Sequence, residues 1–258
     1  MYLKSFSKAQ GHWILANMGK KVLRPGGKKL TQLLLSKINI TQNDDIVEFA
    51  PGMGFTAALA LKSKPKSYVG IDADEEVVIN LRNKIKYDNA RFILRKANET
   101  GLESESKDKV YGEAMLTMHS NPRKSEIIRE AYRILKKGGL YGIHELGLKD
   151  VDESSKKEIH KALTTSIHVH AQPLTIDEWK ELVENEGFTI REVVTNEMLL
   201  LEPKRIIADE GLFRMLRIIC NVLRHKDARK RILGMRKIFR KYQNQINAIS
   251  IIAEKKQY

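Results

Sequence analysis

In the run Asp45-Ile-Val-Glu-Phe-Ala-Pro-Gly-Met-Gly-Phe-Thr56, an acidic side chain, Glu48, stands near the end of an apolar strand that passes directly into a glycine turn and an alanine-rich helix. Such a junction offers free backbone N–H groups and the positive end of a helix to a ligand, and Gly52 and Gly54 let that ligand approach the backbone. A carboxylate here repels a phosphate but pairs well with an ammonium group. The P-loop ending Gly-Lys-Ser/Thr is absent, and the dinucleotide fingerprint G-x-G-x-x-G is incomplete, because Ala57 holds its third position. Asp72, 24 residues after Glu48, ends the run Tyr68-Val-Gly-Ile-Asp72, where a carboxylate can accept hydrogen bonds from ribose hydroxyls. Glu113 and Glu145 end two further apolar runs, and His119 follows the first of them. These three are the candidates for a catalytic base. Each also has a plainer reading: His119 as an exposed loop histidine, the glutamates as members of a structural hydrogen-bond network.

Alternating strands and helices must position these groups. Apolar runs and breakers predict strands over 45–49, 68–72, 92–98, 108–114, a turn and strand over 136–145, and strands over 188–196 and 248–253. Helices are expected over 10–21, 27–38, 56–62, 75–85, 125–135, 154–165 and 175–186, the last capped by Thr175 ahead of Asp177-Glu178. This order calls for a mostly parallel, doubly wound sheet, whose ligands lie outside the carboxyl ends of the strands. Residues 1–258 read as a single domain: a helical cap over 1–40, a core over 41–200, a basic helical insertion over 201–244, and the last strand over 245–258.

The segment Glu48-Phe-Ala50-Pro51-Gly52-Met-Gly54 resembles motif I of the class I S-adenosylmethionine-dependent methyltransferases, an acidic-x-Gly-x-Gly-x-Gly pattern, with Ala50 at the first glycine. Arg133-Ile-Leu-Lys-Lys-Gly-Gly139 resembles the family's R-x-L-K-P-G-G segment, with Lys137 where proline is usual. The likeness covers roughly 11–149 and is to the type 11-like, small-molecule members. It implies an α/β fold with a seven-stranded, mostly parallel sheet, the Rossmann-like methyltransferase fold, carrying an N-terminal helical cap and a helical insertion before the last strand. It implies S-adenosyl-L-methionine as cofactor, leaving as S-adenosyl-L-homocysteine, with contacts from Glu48, Ala50, Pro51, Gly52, Gly54, Asp72, Ala73, Ala97, Asn98 and Glu113. Glu48 would orient the methionine end through the turn's amides and bound water. The family's Asp-Ala adenine contact is here Lys96-Ala97; lysine accepts no hydrogen bond, so the Ala97 backbone and the Asn98 side chain are the better candidates.

Composition bounds the rest. The net charge is +14, and 201–258 carry 15 Lys/Arg against 5 Asp/Glu, so most of the excess is C-terminal. Nucleic acid, an anionic membrane surface and an acidic small-molecule acceptor all fit that charge. Arg214, Arg217 and Arg224 recur at helical spacing opposite Phe213, Leu216, Ile219, Cys220 and Leu223, which reads as a core-packed helix with a solvated face, a lid, or a surface for acidic lipid head groups. Cys220 is the single cysteine, which excludes an intrachain disulfide and a cysteine zinc cluster and argues against arsenic methylation. No metal is expected: His168-Val-His170, with His144 and His160, lacks a marked third and fourth ligand. Asn121-Pro122 lacks the second proline and the aromatic of base-methylating enzymes. With no leader-like or membrane-spanning run, a cytoplasmic location is expected. Trp13, Met18 and Arg24 are placed to close the pocket from the N-terminal side. The reading is methyl transfer to a small-molecule or metabolite acceptor by in-line displacement; an RNA methyltransferase using the basic C-terminal helices and a non-catalytic S-adenosylmethionine-binding protein are its rivals. Oligomeric state has no signal in the sequence.

Overall fold

Side chains alternate along β1 (Asp45–Phe49), and both faces are buried. Val47 and Phe49 point to one side of the sheet, Ile46 and Glu48 to the other. In the computed structural model, which describes residues 5–256, this strand sits inside a mixed sheet. The first four residues of the expected cap and the last two of the expected terminal segment lie outside the described residues. The remaining strands are β2 (Ser67–Asp72), β3 (Ala90–Leu94), β4 (Lys107–Glu113), β5 (Leu135–Leu148), β6 (Leu174–Thr175), β7 (Phe188–Glu197) and β8 (Ile246–Lys255). Their order is β3-β2-β1-β4-β5-β8-β7, with β6 paired to the end of β5. The first five run parallel, and β8 inserts antiparallel between β5 and β7. The seven expected strands are present; the two-residue β6 is an addition.

Helices cover both faces. On the Val47 side lie α5 (Asn121–Ile134) and α7 (Ile176–Asn185), through Ile127, Ile134, Trp179 and Val183. On the Ile46 side lie α2 (Gly27–Ile38), α3 (Phe55–Ala60) and α4 (Glu75–Lys84), through Leu34, Ala57 and Leu81. Local chemistry fixes their starts: Asp74 accepts from the N–H groups of Glu76 and Val77, and Thr175 and Glu178 form a reciprocal capping box.

A further apolar cluster lies beyond the end of β5. There α1 (Gly11–Asn17) meets α6 (Glu153–Ile167) and α10 (Lys226–Lys241) through Leu15, Leu163, Met235 and Phe239. Between β7 and β8 the chain makes α8 (Pro203–Glu210), α9 (Leu212–Arg224) and α10. Cap and insertion thus pack together at the edge where β5 ends. Three expectations need correction. The first helix stops at Asn17 because Gly19 adopts φ +104, and the third strand stops at Leu94, after which Lys96 and Glu99 pair across a tight turn. The apolar stripe of α9 is not core-packed, since Phe213 and Leu216 face solvent. Among the described residues no helix is long and apolar enough to cross a membrane.

Candidate active site

The turn after β1 is built by three residues with positive φ: Ala50 (+50), Gly52 (+52) and Gly54 (+74). A side chain on Gly54 would lie 2.6 Å from Leu81, so the glycine lets the turn close on α4. Ala50 donates its N–H to the Ile71 carbonyl at 2.7 Å. Asp72, at the end of β2, accepts from the Gly52 N–H at 3.2 Å and from the Asp74 N–H at 3.0 Å. One strand-end carboxylate therefore ties the first turn to the second, while burial pushes its pKa up.

Ala50, Asp72, Ala73, Ala97, Asn98 and His119 all line one cleft of about 890 Å³ at the carboxyl ends of β1, β2 and β3. Six of the residues expected from sequence thus converge. From the cap, His12 and Trp13 on α1 form the opposite wall. A second, narrower cavity of about 90 Å³ opens beside it, with apolar walls from Leu15, Leu146, Met198, Leu200 and Met235. His12 and Met118 line both spaces. Burial pushes the His12 imidazole down to about 4, against the pull of Asp74, so the ring is neutral at physiological pH. His119 is pushed down as well, by burial and by Arg123, Lys124 and His170.

The remaining expected residues sit elsewhere. Glu48 turns away from the cleft into the core, where its Oε2 accepts the hydroxyls of Tyr68 at 2.6 Å and Tyr111 at 3.0 Å; burial raises its pKa to about 7. The expectation that Glu48 orients a ligand is therefore corrected: its strand position puts it on the Ile46 face, between tyrosines of the two flanking strands. Glu113 is the hub of another buried network. Its carboxylate accepts from Arg24 Nη1 at 2.8 Å, Thr31 Oγ1 at 2.6 Å, His144 Nδ1 at 2.6 Å and the Thr56 hydroxyl. Burial alone would raise its pKa, but Arg24 and His144 hold it down at about 2. Glu145, fully buried, accepts the N–H groups of Met115, Leu116 and Thr117 at 2.8–3.0 Å and the Thr117 hydroxyl at 2.6 Å. Neither glutamate lines the cleft, so both leave the set of catalytic candidates. Glu145 instead shapes the turn that presents Met118 and His119.

Pro51 and Gly54 are buried in the fold of the turn, and Gly52 lines an adjoining groove with Trp13. Of the three cap residues expected at the pocket, Trp13 is there, whereas Met18 packs on Ile218 and Arg24 joins the Glu113 network. The other histidines have separate partners: His144 bonds Glu113 and the Pro25 carbonyl, His160 the Pro173 carbonyl, His168 accepts from Arg231, and His170 lies beside the Gln172 amide. His12 escaped the sequence reading because nothing local marks it. Only the packing of α1 over the strand ends brings it to the site.

Comparison with known proteins agrees with this geometry. A family model described as a methyltransferase domain matches residues 46–139, which run from β1 through the Gly138-Gly139 turn. An uncharacterized protein of Haemophilus influenzae is 34% identical over 249 residues, covering 95% of this chain and 98% of its own length. A sterol 24-C-methyltransferase of Debaryomyces hansenii is 28% identical over 140 residues, 53% of this chain and 36% of that protein. In fold, the chain is similar to Haemonchus contortus phosphoethanolamine N-methyltransferase 2, solved with phosphomonomethylethanolamine and S-adenosylhomocysteine. The TM-score is 0.73 at 19% identity, over 96% of this chain and 57% of that one. Strand order, glycine turn and matched segment converge: residues 46–139 carry a methyltransferase domain, within a chain that has the Rossmann-like methyltransferase fold.

Proposed function

We propose that the cleft at Asp72 holds S-adenosylmethionine and that the cavity beside it takes a small acceptor with an apolar body. The observation that carries this reading is their junction: His12 and Met118 belong to the walls of both spaces, so a molecule in one meets a molecule in the other there. The cleft fits the cofactor by its donor set. It offers a strand-end carboxylate for vicinal hydroxyls, an open glycine turn beside it, and a size within the usual range for such ligands. When bound, the sulfonium supplies a methyl group already activated for in-line displacement.

The chain's own residues then do four things. Asp72 accepts from the ribose hydroxyls. Ala97 and Asn98 edge the adenine; the Asn98 amide nitrogen donates to Glu126 at 3.2 Å, which leaves its carbonyl oxygen to accept from an amino group. Trp13 covers the cleft and excludes water. At the junction the neutral ring of His12, with His119 on the cleft side of it, accepts a hydrogen bond from the acceptor's O–H or N–H and can take its proton as the methyl group arrives.

The cavity walls favour a small molecule over RNA, because leucine and methionine side chains offer neither stacking surfaces nor phosphate contacts. The likeness to a sterol methyltransferase is in keeping with an apolar acceptor. Incubating the protein with labelled S-adenosylmethionine and a cell extract, then separating products by mass spectrometry, tests the proposal. Label in an apolar low-molecular-weight product supports it. Label confined to RNA, or no turnover with any fraction despite cofactor binding, overturns it.

A further inference from the structure

We infer that α9 is a docking surface for an anionic lipid bilayer. Helix α9 reads LFRMLRIICNVLR and carries apolar residues on two faces. Its inner face is anchored: Ile218 is buried against Ile14 and Met18, Asn221 donates to the Met18 carbonyl at 3.0 Å, and Arg214 pairs with Glu210 at 3.4 Å. Its outer face is a second stripe, Leu212, Phe213, Leu216, Ile219 and Leu223, at the i, i+4, i+7, i+11 spacing of one helix side. That stripe lies in solvent: Phe213 is 89% exposed, Leu223 59% and Leu216 50%. Scattered exposed leucines need no explanation, but five large apolar residues aligned on one face of one helix do.

Charge selects the occupant. Helix α9 has no acidic residue, and Arg217 and Arg224 project beside the stripe, about 100° from its centre line by helical geometry. Lys226, Lys230 and Lys237 on α10, which follows directly, are exposed, and among the described residues none has a carboxylate within salt-bridge distance. An apolar face bordered by unpaired cations matches a bilayer with anionic head groups, where Phe and Leu enter the acyl boundary and arginines stay with the phosphates. A second copy of the chain would bring Arg217 and Arg224 against their own counterparts on a protein of charge +14. RNA would meet aliphatic side chains where it needs stacking partners, since Phe213 is the only aromatic on the helix.

Cys220, the single cysteine, is exposed on the same side and serves as a reporter in the unaltered chain. Protein labelled there with an environment-sensitive dye is mixed with vesicles of phosphatidylcholine alone or with phosphatidylglycerol, and the unlabelled protein is sedimented with the same vesicles. The expected result is a blue shift and co-sedimentation only with anionic vesicles, weakened by salt. Phe213→Glu with Leu216→Glu should reduce partitioning at least tenfold. Arg217→Glu with Arg224→Glu should cost about fivefold per basic residue removed. Both double variants alter exposed side chains, and unchanged melting temperatures check that they fold. The inference is overturned by no sedimentation with anionic vesicles, by sedimentation that survives both double variants, by a blue shift that grows with protein concentration without vesicles, or by an RNA affinity that exceeds vesicle binding and falls with the same substitutions.

Discussion

Replacing Glu113 by glutamine should unfasten the cap from the sheet, and the size of the effect follows from the network. Glu113 ends β4; its partners come from the segment before α2 (Arg24), from α2 (Thr31), from α3 (Thr56) and from β5 (His144). Its carboxyl is held at about 2 against an ordinary 4.5. At about 1.4 kcal/mol per pH unit, that difference corresponds to about 3 kcal/mol of stability. Because the folded-state value is depressed, this contribution is complete above pH 4.5 and is lost as pH falls from 4.5 towards 2. Glu113→Gln keeps the shape but leaves the Arg24 guanidinium buried without its counter-charge, a change that costs about 3–5 kcal/mol in comparable sites. Urea unfolding of both proteins at pH 7 and pH 3 reads the prediction directly. The gap between them should be at least about 3 kcal/mol at pH 7 and narrow by about 2 kcal/mol at pH 3. A gap below about 1 kcal/mol at pH 7, or one that does not change with pH, would refute the assignment of Glu113 as the charged hub.

His12→Ala should leave cofactor affinity nearly unchanged and lower turnover about 10- to 100-fold; loss of cofactor binding instead would remove His12 from the junction. Since burial holds that imidazole at about 4, wild-type turnover should stay flat through neutral pH and fall only in acid, as the ring gains a proton. The same depression makes His12 an acid-sensitive point in the fold: it leaves stability unaffected above pH 6.5 and lowers it as pH drops towards 4, because the unfolded chain takes up the proton first. Ala50→Gly relieves a left-handed backbone worth about 1–2 kcal/mol, against an unfolded-state entropy cost of about 0.4–1 kcal/mol. A thermal melt should therefore show no loss and at most a gain of about 1.6 kcal/mol; clear destabilisation would mean that the methyl group of Ala50 packs usefully in the cleft wall.

The strand-turn-helix at Ala50–Gly54, the acid at Asp72 and the succession of strands and helices were readable because each rests on local chemistry: apolar alternation, positive-φ glycines, a cap such as Thr175. What depended on tertiary pairing was not. The sequence places Glu48 near a strand end but does not say which face it takes, and the two tyrosines that receive it lie 20 and 63 residues away. Glu113 and Glu145 look alike in sequence, as acids closing apolar runs, yet one pairs with an arginine from the cap and the other holds three backbone N–H groups. Helical period reveals that α9 has an apolar stripe without revealing that a different set of residues, around Ile218, anchors it inward. His12 has no local signature at all.

The most direct measurement is a calorimetric titration of S-adenosylhomocysteine into three proteins: wild type, Asp72→Ala and Glu48→Gln. Glutamine at position 48 keeps an acceptor for Tyr68 and Tyr111, so that variant should bind as wild type does, with one molecule per chain. Asp72→Ala removes the carboxylate that faces the cleft and should lose affinity at least tenfold. Absence of binding to the wild type, or equal loss in both variants, would contradict the placement of the cofactor at the ends of β1 and β2.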